Sequence, residues 1–88
     1  MFTEITQADY IGDYKVSVLF SDGVRKLVDF NDIVFGNYYP AFISLRDIER
    51  FKDFKVTDTL EWDEENIAIA PEKIYEIGEI EYSNKMSI

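Results

Sequence analysis

Hydrophobic and polar positions alternate most cleanly over residues 14–30. Tyr14, Val16, Val18 and Phe20 fall on one side of an extended segment, and Val24, Val28 and Phe30 on one side of the next. This is the period-2 pattern of half-buried strands. Ser21-Asp22-Gly23 separates the two runs, and Asp-Gly in that place signals a hairpin. The side-chain faces decide the loop length. A two-residue loop at Asp22-Gly23 sets Phe20 opposite Arg25 and Val16 opposite Asp29, placing charge against core positions. A three-residue loop sets Phe20 opposite Val24, Val16 opposite Val28 and Tyr14 opposite Phe30, with Lys15 facing Asp29 as an opposite-charge pair on the outer face. The pattern therefore predicts the three-residue loop, with Gly23 at the left-handed position of its closing bulge. Lys26 then lands on the inner face, where it must extend its ammonium to water or mark a sheet edge.

Residues 2–10 read as a preceding strand that turns at Gly12-Asp13, with Gly first as in a type II′ turn. Asn31 is expected to cap a single helical turn ending at Gly36. Pro40 opens a short turn through Phe42, and residues 47–51 read as a short helix packing Ile48 and Phe51 on the sheet. Phe54, Val56, Leu60 and Trp62 suggest strand interrupted by Thr57-Asp58-Thr59, followed by a turn at 63–66 and a short apolar strand at 67–70. Pro71 stands at the first position of a closing helix, where its missing N–H is harmless, and Glu72 follows in the first turn, where the helix dipole favours an acid. Residues 79–88 read as a frayed tail. The expected class is α+β: a three-stranded antiparallel meander with additional short strands, short helices and a C-terminal helix. Residues 1–88 form a single domain in this reading, for no repeat, low-complexity tract or linker interrupts them.

The 88 residues include neither Cys nor His and carry a formal charge of −9. That removes disulfides, thiolate nucleophiles, thiolate zinc sites, imidazole bases and Ser-His-Asp triads. An apolar fraction of 47% with 16% aromatic residues supplies enough burial for an unaided fold. The first residues lack the basic and apolar regions of a signal peptide, and no apolar run approaches the roughly 20 residues that cross a bilayer. A cytoplasmic protein is expected. Asp58, Glu61, Asp63, Glu64, Glu65, Glu72, Glu76, Glu79 and Glu81 face only Lys73 over residues 58–81. Such a field repels nucleic-acid phosphate and steers a basic protein partner toward the chain, or serves solubility alone.

Phe-Ser-Asp-Gly at 20–23, a strand ending Val28-Asp29-Phe30, Leu45-Arg46-Asp47 with Phe51, Glu61-Trp62-Asp63, and Pro71-Glu72-Lys73-Ile74-Tyr75-Glu76 follow one another in order. Over about residues 3–77 this arrangement resembles the small bacterial family called domain of unknown function 2442. The resemblance implies an antiparallel meander with short helices, like the N-terminal domain of certain regulators in which a helix-turn-helix domain follows; that DNA-binding half is not expected here. It also implies an antitoxin-like or partner role, since relatives are often encoded beside a small toxin-like protein. The family commonly carries Asp three residues before the helix-starting Pro, where this chain has Ala68. That Asp is either a local turn residue or part of a function this member lacks.

The chemistry available is carboxylate chemistry. Asp63, Glu64 and Glu65 are consecutive, unlike a cation loop with ligands at alternate positions, and the four glycines form no phosphate loop. No catalytic, cofactor-binding or metal-binding residue is assigned. Tyr38 and Tyr39 in a Gly-Asn-Tyr-Tyr-Pro loop, with Trp62 beside the acidic turn, suit recognition; alternatively, Trp62 and at least one of the tyrosines cover the core. The expected contact surface is Tyr38, Tyr39, Trp62, Asp63, Glu64 and Glu65, with Asp22, Gly23 and Pro71 structural. The function expected is a non-catalytic protein-interaction module, the alternative a small carboxylate enzyme or ligand-binding domain. A homodimer would form by pairing through the strand edge that bears Lys26.

Overall fold

A computed structural model of the chain describes residues 3–36, 40–62 and 67–80. In chain order the elements are β1 (Ile5–Gly12), β2 (Lys15–Phe20), β3 (Arg25–Asp29), α1 (Asn31–Phe35), a 3-10 helix (Pro40–Arg46), α2 (Ile48–Phe51), β4 (Lys55–Val56), β5 (Leu60–Trp62), β6 (Ile67–Ile69), α3 (Pro71–Ile77) and β7 (Glu79–Ile80). Among the described residues the strands make two antiparallel sheets, ordered β1-β2-β3-β7 and β4-β5-β6. The class is α+β, and β1-β2-β3 is the meander.

The β2–β3 hairpin has the register that the side-chain faces demand. Lys15 lies opposite Asp29, Val16 opposite Val28 and Val18 opposite Lys26. The Phe20 N–H donates to the Val24 carbonyl at 2.9 Å and the Gly23 N–H to the Phe20 carbonyl at 2.9 Å. Gly23 has φ +90°, a region that penalises any side chain. The preceding turn differs from expectation. Gly12 pairs with Lys15, so the loop is Asp13-Tyr14, not Gly12-Asp13. Both loop residues have positive φ, 57° and 62°, as a type I′ loop requires. Tyr14 tolerates this because its carbonyl accepts the Phe30 N–H at 2.9 Å and its hydroxyl donates to the Arg46 carbonyl.

Asn31 does not cap α1. Phe30 holds the N-cap position without a side-chain bond, while the Asp29 carboxylate accepts both the Asn31 backbone N–H and its side-chain amide, each at 2.9 Å. The backbone N–H of Asn31, aided by its side-chain amide, holds the Asp29 carboxyl below the usual carboxylate range. The Asn31 side chain thus donates to a charged acceptor instead of accepting from the first turn of α1. The remaining Asn31 amide hydrogen reaches the Asp13 carbonyl at 2.9 Å, tying α1 to the β1–β2 turn. The start of α2 follows the rule, with Asp47 accepting the Glu49 N–H at 3.0 Å.

The two sheets close on an aromatic cluster. Trp62, only 1% exposed, has ring centroids of Phe30, Phe42, Phe51 and Phe54 within 5.8–6.2 Å. Its indole N–H donates to the Phe51 carbonyl at 2.8 Å. A further link runs between the sheets, where the Ile5 N–H donates to the Asp58 carbonyl at 2.8 Å.

The chain after α3 does not fray at once. Glu79 and Ile80 pair with Leu27 and Lys26 of β3, so the edge at Lys26 is taken up within the chain. Residues 81–88 lie outside the described residues. The approach depends on Gly78, where an added Cβ would stand 3.0 Å from Lys26 Cβ and 3.1 Å from Val28 Cγ2. Gly78→Ala should therefore loosen β7, seen as faster amide exchange at Lys26 and Leu27 with the β2–β3 pairing unchanged. Trp62→Ala should destabilise the fold by about 3–5 kcal/mol, measured by urea unfolding followed by circular dichroism.

Candidate functional site

A concavity opens among the described residues beside β6. Ile33 of α1, Phe42 of the 3-10 helix, Ala68 and Ile69 of β6, Ala70, and Lys73 of α3 line an open groove of about 390 Å³. That volume lies in the range of about 300–1,000 Å³ in which small-molecule sites fall. Ile33 and Phe42 are nearly buried, and Phe42 packs edge-on against Trp62 with centroids 6.0 Å apart. The apolar wall is thus an extension of the core. β6 stands at the edge of its sheet, and its exposed Ala68, with exposed Ala70 beyond, leaves room where larger side chains would close the groove.

Lys73 is the one charged side chain among the described lining residues. It sits in the first turn of α3, which Pro71 opens as its sequence position predicts. Its Nζ lies 4.0 Å from Glu76 Oε1, with both side chains partly in solvent. A pair at that distance and exposure is weak.

A second polar cluster joins the hairpin tip to α3. Tyr75 donates its hydroxyl to Asp22 Oδ2 at 2.8 Å, and Asp22 Oδ1 accepts the Val24 N–H at 2.9 Å. Lys26 Nζ donates to the Tyr75 carbonyl at 2.6 Å and lies 3.7 Å from the ring centroid, while Phe20 packs edge-on against the same ring with centroids 4.7 Å apart. The Val24 N–H, then the Tyr75 hydroxyl, hold the Asp22 carboxyl below its usual range. The same bond to Asp22 raises the Tyr75 phenol. Every member of this cluster is satisfied by another, so it acts as a tie between elements.

Of the contact residues expected from sequence, Trp62 is in the core, its indole committed to Phe51. Tyr38, Tyr39, Asp63, Glu64 and Glu65 lie outside the described residues. Asp22, Gly23 and Pro71 take the turn and helix-start roles assigned to them. Sequence reasoning missed the groove. Its signals were small residues at 68 and 70 beside the lone cation of residues 58–81, neither of which announces concavity. Ala68, where the resemblance implies an Asp, lines it.

The comparison with family models returns the protein of unknown function family DUF2442, matched over residues 5–79 of the 88. The chain belongs to that family. The DUF2442 match covers both sheets and the groove, ending within β7. No curated protein and no solved structure matches the chain, and no helix among the described residues is long and apolar enough to cross a membrane.

The tie between Asp22 and Tyr75 predicts a pH dependence. Because the folded Asp22 pKa is lowered, its contribution is present above the ordinary value of 3.8 and fades as pH falls through the folded value below it. Because the folded Tyr75 pKa is raised, its contribution is full below 10.0 and fades as pH rises through the folded value above it. Tyr75→Phe keeps the ring and loses only the hydroxyl. Its melting temperature should lie below the parent's at pH 7, and the gap should close as pH falls well below 3.8. A gap independent of pH would assign the loss to packing.

Proposed function

We propose that this DUF2442 protein is a non-catalytic module that binds another protein, the acidic member of a regulatory or toxin–antitoxin-like pair. The observation that carries the reading is the placement of charge. Asp58, Glu72, Glu76 and Glu79 stand exposed on the turn before β5, on α3 and on β7, with Lys73 as the cation beside Glu76. Exposed carboxylates of one sign speed encounter with a basic surface and disfavour acidic competitors. Direct contact with DNA or RNA forms no part of this reading, because a net charge of −9 repels phosphate.

Asp22 and Asp29, both held below the usual carboxylate range by hydrogen bonds in turns, serve the fold. A cytoplasmic setting fits a chain without cysteine.

The test is capture from the native cell by the tagged protein, at low and high salt, set against a Glu72→Lys/Glu76→Lys variant. One stoichiometric basic partner is expected at low salt, with weaker retention at high salt and on the double variant. A partner retained equally by both proteins at both salts would show that these carboxylates do not form the contact.

A further inference from the structure

We infer that the groove between α1, the 3-10 helix, β6 and α3 is a binding site for a small amphipathic carboxylic acid, its apolar tail against Ile33, Phe42 and Ile69 and its carboxylate on Lys73 Nζ. This goes beyond the protein-partner reading and does not rest on it. Three observations converge. The walls are apolar and continuous with the core, since Phe42 packs on Trp62, so the groove offers a tail a preformed surface and requires little reorganisation on binding. The volume of about 390 Å³ stays open because positions 68 and 70 carry alanine. The single charged group among the described lining residues is a cation, in a chain with twice as many acids as bases.

The charge on Lys73 selects the head group. Its acidic neighbour among the described residues, Glu76 Oε1, is 4.0 Å away, beyond hydrogen-bonding distance, so the ammonium retains donors for a closer acceptor. A cationic head group would meet Lys73. A phosphate or other dianion would need further donors and would confront Glu72 and Glu76 on the same helix. One carboxylate matches one ammonium, and a linear tail matches a groove rather than a closed cavity.

Octanoate below its micellar concentration is the probe, with 1-octanol as its neutral counterpart, titrated at fixed ionic strength into the isotopically labelled full chain. Saturable amide shifts are expected at Ile33, Ile69, Ala70 and Lys73, with octanoate binding about threefold or more tighter than octanol, the scale of an exposed ion pair. Lys73→Gln should erase that preference while leaving octanol binding intact. Glu76→Gln should strengthen octanoate binding, because it removes the competing carboxylate. Ala68→Tyr fills the groove and should exclude both probes. If that variant fails to fold, the opposed effects at positions 73 and 76 still decide the question. Equal affinity for octanoate and octanol would overturn the inference, as would shifts centred away from the groove or the absence of saturation. A Phe-terminated tripeptide that binds there while octanoate does not would overturn it too, by assigning the groove to a polypeptide terminus.

Discussion

The bond from the Trp62 indole to the Phe51 carbonyl is the constraint around which the molecule is arranged. Phe51 ends α2, a helix of four residues, and the last carbonyls of any helix lack partners within it. Buried without a donor, such a carbonyl would carry the full penalty of desolvation. The indole supplies the donor at 2.8 Å and in doing so fixes β5 against α2. Phe51 in turn packs on Tyr10, Tyr14 and Phe30, with ring centroids 5.1–5.8 Å away. One side chain thus connects the second sheet to the first through the intervening helix. The interaction also explains how so short a helix persists, since isolated helices need about 12–15 residues to be even marginal in water.

A second constraint acts at the opposite edge. β3 would leave its backbone groups and the ammonium of Lys26 facing a bare sheet edge. Tyr75 on α3 covers Lys26 with its ring and accepts from it through its carbonyl, while its hydroxyl holds the hairpin tip through Asp22. Once α3 is placed, Gly78 lets the chain pass close enough for β7 to pair with β3. An imperfection in the hydrophobic pattern is therefore the anchor for the C-terminal helix.

The hairpin was legible because its information is local. Alternation over residues 14–30 admits a single loop length that keeps charge off the core face, and Asp-Gly supplies the turn. The start of α3 was legible for a similar reason, as Pro71 and Glu72 act within one turn. What was misread depends on contacts distant in sequence. Tyr14 sits in the turn rather than the strand because Arg46 and Phe30 hold it there. Asn31 fails as a cap because its side-chain amide is held by Asp29 and the Asp13 carbonyl. β7 forms only against a strand about fifty residues earlier, beyond the reach of any local pattern. The groove is hidden for the same reason: its walls come from four elements, and concavity is not encoded in any one of them.

Ala68 connects the family to the groove. The resemblance to DUF2442 implies an aspartate at this position, and the structure sets the position in the lining with Lys73. An aspartate there would add a carboxylate to the lining that holds the ammonium, neutralising the charge that recommends the groove to an anion. Alanine leaves Lys73, among the described residues, with the distant Glu76. The backbone needs no particular side chain at this point, for Ala68 pairs with Glu61 in an ordinary antiparallel register. The residue at 68 therefore tunes the charge and volume of the groove without altering the strand that carries it.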